Sequence, residues 1–321
     1  MPLDDAPLML SIARIPADLR DGIDAECGVR THLLEGEGPA AFTALPGGFS
    51  ALLTRAVYGV PPEVMAAMPN LRLIVSLGAG LDKIDLSEAA RRGIAVAHTP
   101  DELTEDVAEF AIAAIFAVQR RLMAGDAFVR SGRWTGPGYG LSQRISGSRV
   151  GIIGLGRIGQ RIALKAGALG ATVGYHSQRE RPESPFRFYS HAATLAAESD
   201  ILVLACAGNV STEKLVDAGV LEALGPSGIL VNVARGSVVD EEALIGALQN
   251  GRIAGAALDV FVGEPDIDPR LLALDNVLLS PHAASLTVQA RQALIGRLVA
   301  STRAFSRGEP FPDAAAPHRP D

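Results

Sequence analysis

The hexapeptide Gly154-Leu-Gly-Arg-Ile-Gly159 is set between an apolar, strand-like run at 149–153 and a helix-like stretch at 160–169, with another strand-like run at 171–176. Strand, glycine turn, helix, strand is the unit in which a helix N-terminus holds a dinucleotide pyrophosphate with backbone N–H groups. Gly154 permits the tight turn, Gly156 lets the phosphates approach, and Gly159 lets helix and strand pack closely. The setting, rather than the bare glycine spacing, predicts a dinucleotide site.

The residue ending the second strand bears on which dinucleotide. An NAD site carries Asp or Glu about twenty residues on, accepting from the ribose hydroxyls. Ser177 holds that place here, and Arg179 and Arg181 follow it. No carboxylate repels a 2′-phosphate, and a phosphate–guanidinium contact is charge-assisted. NADP(H) is therefore expected over NAD(H), against the plainer reading that both arginines only solvate a loop.

Five further strand-like runs follow the glycine turn, at 171–176, 201–206, 229–233, 255–260 and 277–280. Helical or loop segments of about ten to twenty residues separate them, which implies crossovers and a parallel sheet. Before the turn, runs at 8–13, 51–54, 71–75 and 94–97 alternate with helices at 61–68 and 86–92, whereas 21–46 is turn-rich and unassigned. A long helix is expected over 102–123, capped by Asp101 or Thr104. It is apolar nearly all round, which predicts burial on several sides, either within the chain or against a second subunit. A C-terminal helix at 288–307 follows the last strand, and the proline-rich 309–321 reads as a surface tail. A chain of 321 residues suits about two domains.

Net charge is −7, with 29 basic and 36 acidic residues, which disfavours nucleic acid as a main partner. Cys27 and Cys206 are too few for a disulfide framework. The acidic N-terminus lacks a signal-peptide layout, and the most apolar stretch, 107–118, contains Glu109 and is too short to span a bilayer. A soluble cytoplasmic protein is expected. No Walker lysine motif or His/Cys ligand cluster points to phosphate or metal chemistry.

Three polar side chains follow the last three strands: Arg235, Glu264 and His282. In open α/β sheets, ligands bind outside the carboxyl ends of the strands. An arginine can grip a 2-keto acid and polarise its carbonyl, a histidine can give a proton to the forming alkoxide, and a glutamate can orient the histidine. Singly, each reads as an ordinary loop or turn residue. Jointly, beside a dinucleotide motif, they predict hydride-transfer chemistry.

The chain resembles the D-isomer-specific 2-hydroxyacid dehydrogenases, and among them the bacterial NADPH-dependent glyoxylate/hydroxypyruvate reductases. The resemblance rests on VSLGAGLDKID (75–85), HTPDELTEDVAE (98–109), GIIGLGRIGQ (151–160), VNVARGSVVDEEAL (231–244), AGAALDVFVGEP (254–265) and LSPHAAS (279–285). It implies an α/β fold of two Rossmann-like or flavodoxin-like parallel-sheet domains with an active-site cleft between them. The substrate-binding domain would be 1–99 plus 287–321, and the dinucleotide-binding domain 100–286.

The same resemblance implies Arg235, Glu264 and His282 as the catalytic set, with backbone amides of Leu77, Gly78 and Ala79 receiving the substrate carboxylate. It places Thr104, Gly154, Gly156, Arg157, Ile158, Gly159, Ser177, Arg179, Ala234, Asp259 and Ala284 around the cofactor. Trp134 would reach a neighbouring subunit's substrate pocket, implying a homodimer, or else anchor its own loop. The chain departs from the family pattern at Ala283-Ala284, at the register of Arg179, and in the loop 207–211. The expected activity is NADPH-dependent reduction of glyoxylate and hydroxypyruvate. The alternatives are bulkier 2-keto acids (hydroxyphenylpyruvate or sugar-derived) and a nucleotide-sensing interaction protein on the same fold.

Overall fold

The computed structural model describes residues 8–13, 15, 17–34, 48–136, 138–307 and 309. The chain divides into two compact units, Met1–Leu103 with Thr287–Asp321, and Thr104–Leu286.

The first unit contains β1 (Leu8–Ser11), α1 (Ala17–Cys27), β2 (Arg30–Leu33), β3 (Ala51–Arg55), α2 (Pro62–Ala67), β4 (Leu73–Leu77), α3 (Leu86–Arg91) and β5 (Ala95–Ala97), and the helix Val288–Ser306 joins it. The sheet is parallel throughout, in the order β2-β1-β3-β4-β5. One face packs Leu10, Leu52, Ile74 and Val96 on Val64 and Met65. The other packs Met9, Leu53, Leu73 and Val75 on Ile23, Leu298 and Val299. Covering both faces is why β3 and β4 read as unbroken apolar runs. Each such side chain contributes about 1.5–3 kcal/mol by leaving water. The segment left unassigned at 21–46 contains most of α1 and all of β2, while 35–47 lies outside the described residues. The expected tail, Glu309 apart, also lies outside them.

The second unit holds α4 (Thr104–Gln119), α5 (Leu122–Arg130), β6 (Arg149–Ile153), α6 (Arg157–Ala168), β7 (Thr172–His176), β8 (Arg187–Tyr189), α7 (Ala192–Ala197), β9 (Ile201–Leu204), α8 (Ala218–Leu224), β10 (Ile229–Asn232), α9 (Glu241–Gln249), β11 (Gly255–Leu258), α10 (Pro269–Leu272) and β12 (Val277–Leu279). Its seven strands are parallel in the order β12-β11-β10-β9-β6-β7-β8. The chain leaves β6 toward one edge and returns at β9 toward the other, so the topological switch point lies between these two strands.

The single helix expected over 102–123 is two. Arg121 takes a left-handed conformation (φ 51) and ends the first of them. Tyr139 folds onto the break, donating to the Arg121 carbonyl at 2.6 Å with the guanidinium over its ring. Within this chain the burial of the first helix is one-sided. In α4, Val107, Ala108, Ala111, Ala114 and Ile115 are buried, whereas Phe110, Ile112 and Phe116 are half-buried and Ala113 is exposed. Among the described residues no helix is long and apolar enough to cross a membrane.

Candidate active site

The glycine turn lies at the switch point. Ala205 N–H donates to the Ile153 carbonyl at 2.8 Å, which brings the end of β9 against the end of β6. A Cβ on Gly154 (φ 96) would lie 2.5 Å from Cys206 backbone atoms, and one on Gly159 would lie 2.0 Å from the Gly154 carbonyl oxygen. Only hydrogen fits at either position. Gly156 is different, because a Cβ there would meet nothing within 4 Å. Gly156 is also the N-cap of α6 and supplies no side-chain cap, so first-turn N–H groups face open space above the turn. A tight turn, an open cradle and an uncapped helix N-terminus together fit a pyrophosphate. Arg157 is exposed and Ile158 half-buried at the first turn of α6, and Thr104 begins α4. Burial pushes the Cys206 thiol up to about 11, so it stays neutral beside the turn.

These contacts separate two glycine substitutions. Gly159→Ala should lower stability by about 1–3 kcal/mol, since the added methyl overlaps a carbonyl that cannot move freely. Gly156→Ala should leave the melting temperature unchanged and weaken dinucleotide binding about tenfold, because its methyl occupies the cradle alone. Thermal melts and fluorescence titration with NADPH check the pair. Wild-type affinity in Gly156→Ala would show that the pyrophosphate does not lie there.

Beyond β7, Ser177 Oγ donates to the Arg179 carbonyl at 2.5 Å, and Arg179 is exposed. Gln178 Nε2 donates to Ser211 Oγ at 2.5 Å, joining this loop to the one after β9. Asn209 Oδ1 accepts from both N and Oγ of Ser211, so the second loop is braced from within.

The ends of β10, β11 and β12 carry Arg235, Glu264 and His282. His282 Nδ1 and Glu264 Oε2 are 2.8 Å apart, and both side chains are about 30% exposed, at 30% and 28%. The second oxygen of Glu264 accepts from Phe261 N–H at 2.8 Å, which fixes the carboxylate plane. His282 sits in the left-handed region (φ 53), a strained conformation that its surroundings must hold. Asp259 holds it, for this residue is only 2% exposed and its two oxygens accept from Ala283 and Ala284 N–H at 2.8 and 2.9 Å. With Nδ1 tied to a carboxylate, Nε2 is the ring atom left for a substrate oxygen.

Arg235 is aimed by neighbours that sequence reasoning passed over. Asn232, buried at the end of β10, accepts from Ala234 N–H and donates to the Arg235 carbonyl, both at 3.0 Å. A Cβ on Gly208 would lie 2.6 Å from Arg235 Cγ, and one on Gly236 would lie 2.1 Å from the Phe261 carbonyl carbon. Gly236 thus lets the Arg235 turn rest on the backbone that presents Glu264. A polar Asn closing an otherwise apolar strand was the one available signal. The glycine contacts join residues about 25 positions apart and left none.

Three of the expected residues are placed as follows. The Gly78 amide, expected to receive a carboxylate, donates to Thr99 Oγ1 at 2.9 Å, because that buried hydroxyl needs a partner. The Ala283 and Ala284 amides donate to Asp259. Trp134 is 66% exposed and does not anchor its own loop by burial. Leu77 ends β4 buried, Ala79 is half-buried beyond it, and Ala234 is buried beside Arg235.

Turn, switch point and strand-end triad define a dinucleotide-dependent oxidoreductase. Residues 112–284 match the family model "D-isomer specific 2-hydroxyacid dehydrogenase, NAD binding domain", and the chain belongs to that family of NAD(P)-dependent enzymes. It is 44% identical over 81% of its length to glyoxylate/hydroxypyruvate reductase A HPR2 of Arabidopsis thaliana, covering 83% of that protein. It is 46% identical over 77% of its length to 2-ketogluconate reductase of Gluconobacter oxydans, covering 80% of that protein. Among solved structures, the NADPH-dependent glyoxylate/hydroxypyruvate reductase of Sinorhizobium meliloti in complex with NADP and malonate is similar over 99% of both chains, with TM-score 0.89 and 38% identity.

Proposed function

We propose that the protein reduces small 2-keto acids, glyoxylate and hydroxypyruvate first, to 2-hydroxy acids, with NADPH preferred over NADH. The observation that carries this reading is the 2.8 Å Glu264–His282 pair at strand ends neighbouring that of Arg235. A bound nicotinamide supplies the hydride. His282 Nε2 delivers a proton to the C2 oxygen as it becomes an alkoxide, and the Glu264 carboxylate stabilises the imidazolium before that transfer. Arg235 presents a planar pair of donors to the carboxylate and the carbonyl, so negative charge develops against a fixed cation.

The preference for NADPH rests on Ser177 in place of an acid and on exposed Arg179. Arg179→Ala should weaken NADPH binding by about 10- to 100-fold and NADH binding by no more than about twofold. Equilibrium titration with both cofactors checks this, and equal losses would refute the 2′-phosphate contact. Steady-state rates over a panel of 2-keto acids with each cofactor test the activity itself. A protein that binds the dinucleotide yet consumes none of it across the panel would be a sensor instead.

A homodimer in the cytoplasm is part of the same reading. Leu122, Val129, Trp134 and Leu141 are exposed apolar residues along 122–141, and α5 buries none of its residues, so a second copy has an apolar stretch to cover. A second reading, reduction of a sugar-derived 2-keto acid, is supported by the 46% identity to a 2-ketogluconate reductase.

A further inference from the structure

A buried phenol lies under the loop that carries Arg179, and packing alone does not call for its hydroxyl. Tyr175 sits inside β7, in register with Ile152 of β6 and Phe188 of β8, and is 0% exposed. Its ring meets that of Phe188 with 5.5 Å between centroids. Phenylalanine would fill the same space, but a buried hydroxyl needs a hydrogen-bond partner. The partner is the loop. Arg181 N–H donates to Tyr175 Oη at 2.8 Å, and Oη in turn donates to the Arg181 carbonyl at 3.4 Å.

The two other fastenings of this loop, Ser177 on the Arg179 carbonyl and Gln178 on Ser211, lie at the surface. Tyr175 ties it to the core of the sheet instead. A short segment of polar and charged residues would otherwise have to be ordered when a ligand arrives. Ordering it beforehand removes that cost from binding. Arg181 itself reaches toward Glu183, with 3.9 Å between the charged groups, so the loop presents Arg179 as its exposed guanidinium.

We infer that Tyr175 is a positioning residue for cofactor choice, holding the backbone of 177–181 so that Arg179 meets a 2′-phosphate without first being ordered. The inference rests on the proposed preference for NADPH. Because Tyr175 acts through Arg179, its effect belongs to the phosphate-bearing dinucleotide alone.

The test uses the full chain and Tyr175→Phe, which keeps the ring and removes the hydroxyl. The Kd for NADPH should rise about tenfold and that for NADH by no more than about twofold, the NADH value reporting a folded site. In an Arg179→Ala background the same replacement should add almost nothing, since two residues acting through one contact are not additive. Without cofactor, backbone amides between Gln178 and Glu183 should exchange about tenfold faster in Tyr175→Phe. Equal losses for both cofactors, additive losses in the double variant, or unchanged amide exchange would overturn the assignment. If wild type binds both cofactors alike, the NADPH preference fails and this inference falls with it. If wild type prefers NADPH and Tyr175→Phe keeps the full preference, only the role of Tyr175 fails.

Discussion

Replacing His282 with Asn is expected to lower kcat for 2-keto acid reduction about a thousandfold while leaving the affinity for NADPH unchanged. Asn preserves volume and a polar edge but cannot deliver a proton. The turn itself does not depend on the ring, because Asp259 pins it through Ala283 and Ala284 N–H. The loss should therefore fall on the chemical step alone. Glu264→Gln should cost less, since its amide oxygen still accepts from Phe261 N–H, while an uncharged NH2 replaces the carboxylate oxygen that faces the ring. Pre-steady-state rates with saturating cofactor check both variants. A rate near wild type in His282→Asn would exclude His282 as the proton donor.

Arg235→Leu should lower kcat/KM about a thousandfold, and Arg235→Lys about a hundredfold. The separation between the two is the informative part. Lysine keeps a positive charge at the end of β10, but a single ammonium cannot address a carboxylate and a carbonyl in one plane. Asn232 and Gly208 constrain the backbone and stem of this residue, so a lysine there starts from the same path. Both variants should fold, because neither touches the Asn232 bonds that hold this turn. Parallel measurement of melting temperature and kcat/KM checks this. Equal activity in Arg235→Lys and wild type would reduce the role to bulk electrostatics.

Much of the second unit is legible in sequence because its inner strands are covered on both faces. Runs such as Ile201–Leu204 and Ile229–Asn232 are apolar end to end, and glycines and helices punctuate them. The strands that escaped reading are edge strands. Arg30–Leu33 is largely exposed, and Arg187–Tyr189 is three residues long with its Arg187 stacked over the Tyr189 ring. Edges have one neighbour and need no apolar alternation, so periodicity does not reveal them. The division of the long helix at Arg121 escaped for another reason. It depends on Tyr139, which arrives from eighteen residues away.

The candidate set is legible because each member lies within six residues of a strand's carboxyl end, where such sheets bind ligands. What supports the set is not. The two oxygens of Asp259 hold the turn after His282 through partners 24 and 25 residues away. Gly208 and Gly236 carry no local pattern that marks how little space lies beside each. These are packing facts between distant residues, and local pattern carries no trace of them.

Incubating the protein with glyoxylate and NADPH dideuterated at the nicotinamide C4 tests the central claim most directly. The account predicts glycolate with one deuterium on C2, formed by wild type and almost absent with His282→Asn. Glycolate free of deuterium, or NADPH left unoxidised by glyoxylate and by every other 2-keto acid supplied, would contradict it.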